Sequence, residues 1–264
     1  MNNKNIVLFV NDSYFSYLLS VVFIKKYHKN IHLIVLSNST KHSFKKIFSI
    51  YRKVPFKYFI YRSFIQALSI FFLSQKSVNF LADAYGINKI NIRKIEEFKL
   101  PDISCINTAF CFNFDMIIDR KVLSMFNNGI YNIHASKLPM DKGISPILWA
   151  FSRGDERVWS TIYKVDEGVD SGNILAQFSI KVKKNDSSFS LYQRVCSESG
   201  IRLSELLDKI MHERIELKPQ NKLLASNYNS WPDKNYMKMM SNNKKKHIKY
   251  KDVYDIFYNS VNDV

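Results

Sequence analysis

A run of five residues with no polar member, Ile6 to Val10, sets the first constraint on this chain. A strand with one wet face alternates apolar and polar side chains. An uninterrupted apolar run is instead buried on both faces, the environment of a parallel sheet covered by helices. Asp12 and Ser13 follow as helix caps, and Tyr14 to Tyr27 reads as a helix. Ile31 to Ser37 reads as a second strand, Ser43 to Tyr51 and Phe59 to Leu73 as helices, and Asp102 to Ala109 as another buried strand. Strands alternating with helices predict an α/β domain with a mainly parallel central sheet. Ligands bind such sheets at the carboxyl ends of the strands. The loop after the first strand, Asn11 to Tyr14, contains no glycine, so it matches neither the dinucleotide fingerprint nor a P-loop.

The chain has 264 residues, enough for one large domain or a domain with a small appendage. Leu191 to Ile215 reads as a helix with apolar positions at Val195, Leu203, Leu206, Leu207 and Ile210. From Lys218 the composition turns polar and basic. The expected division is a main domain over residues 1–215 and a C-terminal extension or small subdomain over 216–264. Cys105, Cys111 and Cys196 match no zinc spacing and no disulfide framework, and Met1 to Asn5 shows no signal-peptide pattern. A cytoplasmic protein is expected. Ser63 to Gln75 is uncharged but shorter than the ~20 residues of a membrane-spanning helix. It reads as a buried or half-buried helix, with a membrane-surface patch as the rival reading because Lys53, Lys57 and Arg62 lie beside it. The formal net charge is +16, from 39 basic against 23 acidic residues, which suits a polyanionic partner. The lysines are spread along the chain apart from one cluster, Lys244 to Lys251.

The chemistry concentrates between Gly129 and Gln177. Ile130 to His134 reads as a short strand, and period-two alternation places Asn132 and His134 on one face of it. A loop punctuated by Pro139 and Gly143 follows. Ser145 and Pro146 then start a helix as N-cap and first helical residue. Ser160 to Val165 reads as a strand ending in an acidic glycine loop, Asp166 to Gly172, before a further strand from Ile174 to Phe178. The acidic loop does not have the spacing of an EF-hand, and no metal is expected there.

These spaced elements resemble the N10-formyltetrahydrofolate-dependent formyltransferase family, which includes methionyl-tRNA formyltransferase, phosphoribosylglycinamide formyltransferase and the sugar-nucleotide N-formyltransferases. The residues that carry the resemblance are Asn132, His134, Ser136, Leu138, Pro139, Gly143, Asp166, Gly168, Asp170 and Gly172. It is clear from about Pro101 to Ile180 and weaker from Asn5 to Leu36. One departure is Lys137, where the family usually has Leu.

The resemblance implies a Rossmann-like formyltransferase fold with a catalytic trio of Asn132, His134 and Asp170. An amine attacking a formyl carbon creates an oxyanion that needs donors, which the Asn132 amide and the His134 ring supply. His134 also handles protons, and Asp170 accepts the proton that the attacking nitrogen sheds. The folate co-substrate, N10-formyltetrahydrofolate, is expected against Phe114, Met116, Ile117 and Ile118 on one side and Val165, Asp166, Glu167 and Gly168 on the other. Ser136, Lys137, Pro139 and Gly143 form the expected substrate loop. The resemblance further suggests a homodimer.

The expected acceptor is a nucleotide-linked amino sugar of the kind used in O-antigen and other lipopolysaccharide or surface glycans. The loop after the first strand lacks the glycines of the phosphoribosylglycinamide enzymes. The region beyond Ile215 is cramped for the barrel domain of the tRNA enzymes. The alternative is a tRNA formyltransferase with a reduced tail, using Lys244 to Lys251 on phosphates. Tyr228, Trp231 and Tyr236 either stack a base or sugar or pack the appendage.

Overall fold

The computed structural model describes residues 5–37, 52–71, 73–100, 106–212, 215–225 and 228–258. The helix expected over Ser43 to Tyr51, Cys105 and the first residues of the strand expected from Asp102 lie outside these.

Strand β1 (Ile6–Asn11), helix α1 (Tyr14–Tyr27) and strand β2 (Ile31–Ser37) lie where the apolar runs put them. Ser13 caps α1, its hydroxyl accepting from Ser16 N at 3.2 Å, which satisfies one of the N–H groups a helix start leaves free. Helix α2 (Phe56–Phe71) begins ahead of the expected Phe59, because the Pro55 carbonyl already takes a helical bond from Phe59 N at 3.0 Å. Helix α3 (Val78–Ala84) and strand β3 (Asn88–Ile92) follow. Strand β4 covers Thr108–Phe112, later than the expected Asp102 to Ala109, because its pairing with β1 runs from Ile6 opposite Thr108 to Val10 opposite Phe112.

After the short helix α4 (Arg120–Leu123), the site region comprises β5 (Gly129–His134), the two-residue strand β6 (Lys142–Gly143), α5 (Pro146–Arg153), β7 (Arg157–Lys164) and β8 (Ile174–Lys181). Ser145 occupies the N-cap of α5, but in the left-handed region and without a side-chain cap bond, so the sequence expectation of a serine cap is corrected. Pro146 alone supplies the start signal. The long helix α6 (Ser188–His212), a short pairing strand β9 (Tyr228–Asn229), α7 (Lys234–Asn242) and α8 (Tyr250–Tyr258) complete the order.

Seven strands form one sheet in the order β3-β2-β1-β4-β5-β7-β8. The first five are parallel, β7 pairs antiparallel with β5, and β8 pairs antiparallel with β7. The central strands show why an unbroken apolar run is needed. Ile6, Leu8 and Val10 enter the larger core, under α1 and α6, whereas Val7 and Phe9 enter a second core with Phe98 and Phe126. Strand β4 divides its side chains the same way, with Phe110 and Phe112 on one face and Ala109 and Cys111 on the other. Full burial of Phe9 contributes about 2–3 kcal/mol. Helix α6 approaches α1 so closely at Gly200 that a Cβ there would run into the Leu19 carbonyl. That contact explains a glycine in the interior of a 25-residue helix.

The C-terminal residues share the larger core. Tyr236, Met240 and Ile256 are buried in it, and Trp149 of α5 donates from Nε1 to the Ser230 carbonyl at 3.0 Å. Tyr236 is therefore a packing residue, whereas Tyr228 stays exposed. Among the described residues no helix is long and apolar enough to cross a membrane.

Candidate active site

The strand order reverses between β1 and β4, which opens a crevice at their carboxyl ends. Asn11 ties the first turn where glycines are lacking: its Oδ1 accepts from the Ser13 hydroxyl at 2.7 Å, and its amide donates to the Asn113 carbonyl just after β4. Two cavities flank the carboxyl end of β5. One, of about 270 Å³, is lined by Phe15, Tyr61, Arg62 and Tyr192 beside Asn132, His134 and Asp170. The other, of about 310 Å³, is lined by Phe114, Met116, Ile117 and Ile118 facing Val165, Asp166 and Gly168. Phe114, Asn132, Gly143 and Asp170 border both.

The structure brings Asn132, His134 and Asp170 together around one carboxylate. Asp170 Oδ1 lies 3.6 Å from His134 Nδ1 and accepts from the Tyr163 hydroxyl at 3.0 Å. Asp170 Oδ2 accepts from Gly143 N at 3.1 Å. The Asn132 amide donates to the same Tyr163 hydroxyl at 3.0 Å. Asn132 and Tyr163 sit directly opposite each other in the β5–β7 ladder, so strand register makes this bond. Burial, reinforced by the Asp170 charge, pushes the Tyr163 phenol up from its ordinary value. It therefore stays protonated and can accept from Asn132 while donating to Asp170. The Asn132 amide keeps a second N–H beyond this bond, and Asn132 borders both cavities. His134 Nε2 lies 3.2 Å from the Asp141 carbonyl, an obligate acceptor. Both ring nitrogens thus face acceptors.

Gly143 makes this assembly possible. Its φ is +92°, and an added Cβ would collide with the Asn229 carbonyl, because β6 pairs with β9 at this point. The C-terminal segment braces the site at two more places. Gln220 Nε2 donates to the carbonyls of Asp170 at 3.0 Å and Gly172 at 2.8 Å. Asn229 Nδ2 donates to Asp141 Oδ1 at 3.1 Å, and Arg153 holds both Asp141 oxygens at 3.0 and 2.7 Å.

The other expected site residues divide. Of the substrate loop, only Gly143 reaches the cavities. Ser136 is buried and donates to the Met140 carbonyl at 2.9 Å. Lys137 lies over the Trp159 ring at 4.4 Å, and Pro139 is buried after a cis peptide bond. These three shape the loop from behind. On the acidic loop, Asp166 closes the turn, accepting from Gly168 N at 3.1 Å and Ser171 Oγ at 2.6 Å. Glu167 points to Arg120 at 3.3 Å and lines neither cavity. Tyr163, Gln220 and Asn229 join the site without having been marked by the sequence. Among the described residues no group of His, Cys, Asp and Glu has a metal-holding arrangement.

The chain is similar to several known proteins. The chain is 33% identical over 115 residues to the bifunctional polymyxin resistance protein ArnA of Wigglesworthia glossinidia brevipalpis, covering 44% of this chain and 17% of that protein. It is 38% identical over 136 residues to methionyl-tRNA formyltransferase of Thermotoga maritima, covering 52% and 42% of the two. The chain thus spans less than half the length of these curated relatives. Among solved structures, the sugar 3N-formyltransferase WlaRD superposes with a TM-score of 0.61 at 19% identity, covering 86% of this chain and 70% of that one. An N-formyltransferase from Helicobacter canadensis, solved with folinic acid and dTDP-3-aminofucose, gives 0.58 at 20% identity, covering 85% and 70%. At those identities the likeness concerns the fold. Residues 20–207, well over half of the chain, match the formyl transferase family, and the chain belongs to it.

Proposed function

We propose that this protein transfers a formyl group from N10-formyltetrahydrofolate to the primary amine of a nucleotide-linked amino sugar. The observation that carries the reading is the shared border of the two cavities. Asn132 and Asp170 line both, so a formyl donor in one and an amine in the other meet at the same side chains.

The second cavity suits a pterin. Its walls are apolar at Phe114, Met116, Ile117 and Val165, and loop backbone on both sides supplies donors and acceptors for a flat polar ring edge. The folate supplies an activated formyl carbon. The second N–H of Asn132 is placed to donate to the oxygen of that group as it gains charge. His134 stands beside it as the proton carrier, its Nδ1 facing Asp170. Asp170, held by Tyr163 and Gly143, orients the His134 ring and takes the proton from the attacking nitrogen, directly or through water. The bond from the formyl carbon to the folate nitrogen then breaks, and that nitrogen takes up the same proton by way of His134.

The sugar acceptor is supported by the named ligands of the structural neighbours. The Helicobacter canadensis neighbour was solved with an amino-sugar nucleotide. The same reading places the product in a surface glycan such as an O-antigen, and the enzyme in the cytoplasm as a homodimer. The second reading is a methionyl-tRNA formyltransferase-like enzyme. Sequence relatives favour it, and Lys244, Lys246 and Lys251 are exposed for phosphate contact.

The test is formyl transfer from N10-formyltetrahydrofolate, followed by tetrahydrofolate release, against nucleotide-linked 3-amino and 4-amino sugars and initiator methionyl-tRNA. Turnover on an amino sugar and none on tRNA is expected. Turnover on tRNA alone would move the protein to the second reading.

A further inference from the structure

Helix α2 delivers Tyr61 and Arg62 to the cavity beside Asn132, His134 and Asp170. Arg120, Arg153, Arg194 and Arg202 each hold a carboxylate. Arg62 has neither an ion pair nor a hydrogen bond among the described residues, although it borders a cleft. Its charge is felt by the buried phenols of Tyr58 and Tyr61 and by the half-buried Tyr192. An unpaired guanidinium beside a low-dielectric wall is a strong anion receptor, and its planar fork suits phosphate oxygens.

The cavity is polarised. Among the described residues its only lining carboxylate is Asp170 and its only lining guanidinium is Arg62, with Phe15, Tyr61, Ile147, Leu148 and Tyr192 also in its wall. A substrate matched to that pattern carries an amine at one end, a body with an apolar face, and an anionic group at the other end. A sugar ring offers the apolar face to an aromatic wall, and a phosphoanhydride offers the anion.

Resting on the proposed reaction, we infer that Arg62 forms an anion subsite that holds the phosphate end of the amine substrate, setting how far the amine reaches towards Asp170. Arg62 is thus a specificity residue outside the trio. It lies on a helix of this chain, apart from the Gly129 to Gln177 stretch that carries the family motifs.

The test is calorimetric titration of inorganic pyrophosphate into the full chain without folate, comparing wild type, Arg62→Gln, Arg62→Lys and a surface control, Lys244→Gln with Lys246→Gln. Pyrophosphate should bind wild type and the control alike. Arg62→Gln should weaken it at least tenfold, and Arg62→Lys should retain part of the affinity. Arg62 is exposed and makes no ion pair or hydrogen bond among the described residues, so thermal midpoints of the Arg62 variants should match wild type. No binding to wild type, equal binding to Arg62→Gln, or an equal loss in the lysine control would overturn the subsite. Because the titration needs no turnover, its outcome is independent of the formyl-transfer assay. An amino sugar formylated without any Arg62 dependence would sink the subsite alone. Arg62-dependent binding with no amino sugar turned over would sink the proposed acceptor alone.

Discussion

The hydroxyl of Tyr163 lies 3.0 Å from Asp170 Oδ1. It also receives the Asn132 amide at 3.0 Å, so one phenol links two members of the trio. Tyr163→Phe keeps the ring and removes the link. The Asn132 amide and the Asp170 carboxylate then each lose a partner in a half-buried site. The expected result is a kcat about tenfold lower, equivalent to ~1.4 kcal/mol, with KM for the amine little changed. Steady-state kinetics on the accepted amine check it, and an unchanged kcat would reduce Tyr163 to packing.

Gly143 and Gly86 both have positive φ, +92° and +60°, but only Gly143 is crowded. An alanine at Gly86 meets open space and costs only the left-handed backbone term, about 1 kcal/mol. At Gly143 the added Cβ meets the Asn229 backbone, so the strap must shift. Gly143→Ala should cost about 2–4 kcal/mol and lower turnover at least tenfold, because Gly143 N also holds Asp170. Gly86→Ala should leave turnover intact. Chemical denaturation and kinetics on both variants test the contrast.

Gln220 bridges the Asp170 and Gly172 carbonyls from beyond the long helix. Gln220→Ala removes both of these bonds and leaves the Asp170 end of the acidic loop held through its carboxylate, by Tyr163 and Gly143. A drop in kcat/KM of about three- to tenfold is expected, equivalent to ~1 kcal/mol, together with faster proteolytic cleavage near residues 166–172. Cleavage at the wild-type rate would show that the brace does not restrain the loop.

His247 stacks on Tyr61 at 4.8 Å and Tyr236 at 5.6 Å, and its Nδ1 accepts from the Tyr236 hydroxyl at 3.3 Å. Burial lowers this imidazole to about 4. In the unfolded chain it titrates near 6.5, so the unfolded state takes up the proton first as pH falls. The contribution to stability is complete above about pH 6.5, declines towards pH 4 and is lost below it, with a size on the order of 3 kcal/mol. Thermal midpoints between pH 7.5 and 4.5 should fall more steeply for wild type than for His247→Phe. Parallel slopes would remove His247 as a source of acid sensitivity.

The sequence was most legible where burial is two-sided. The boundaries of α1 and β2 follow directly from Ser13 and from the apolar run Ile31 to Ser37. Strand β3, Asn88–Ile92, was not marked because it is an edge strand with a largely polar, exposed face, so it lacks the run that gives β1 away. At the site, Asn132 and His134 could be placed on one strand face by alternation, and the acidic loop by its glycines. Tyr163 was missed because a tyrosine in a strand reads as packing, and only the register of β5 against β7 sets it opposite Asn132. Gln220 and Asn229 act across 48 to 88 residues of chain, a separation no local pattern records. Ser136, Lys137 and Pro139 sit in the motif for the shape of the loop, a role their spacing does not distinguish from substrate contact.

The most direct measurement of the central claim is formyl transfer by Asn132→Ala, His134→Ala and Asp170→Ala, each beside its thermal midpoint. The account predicts that each variant still folds and turns over at least 100-fold more slowly than wild type, equivalent to ~2.7 kcal/mol or more of lost transition-state stabilisation. Near-normal turnover in all three would contradict it.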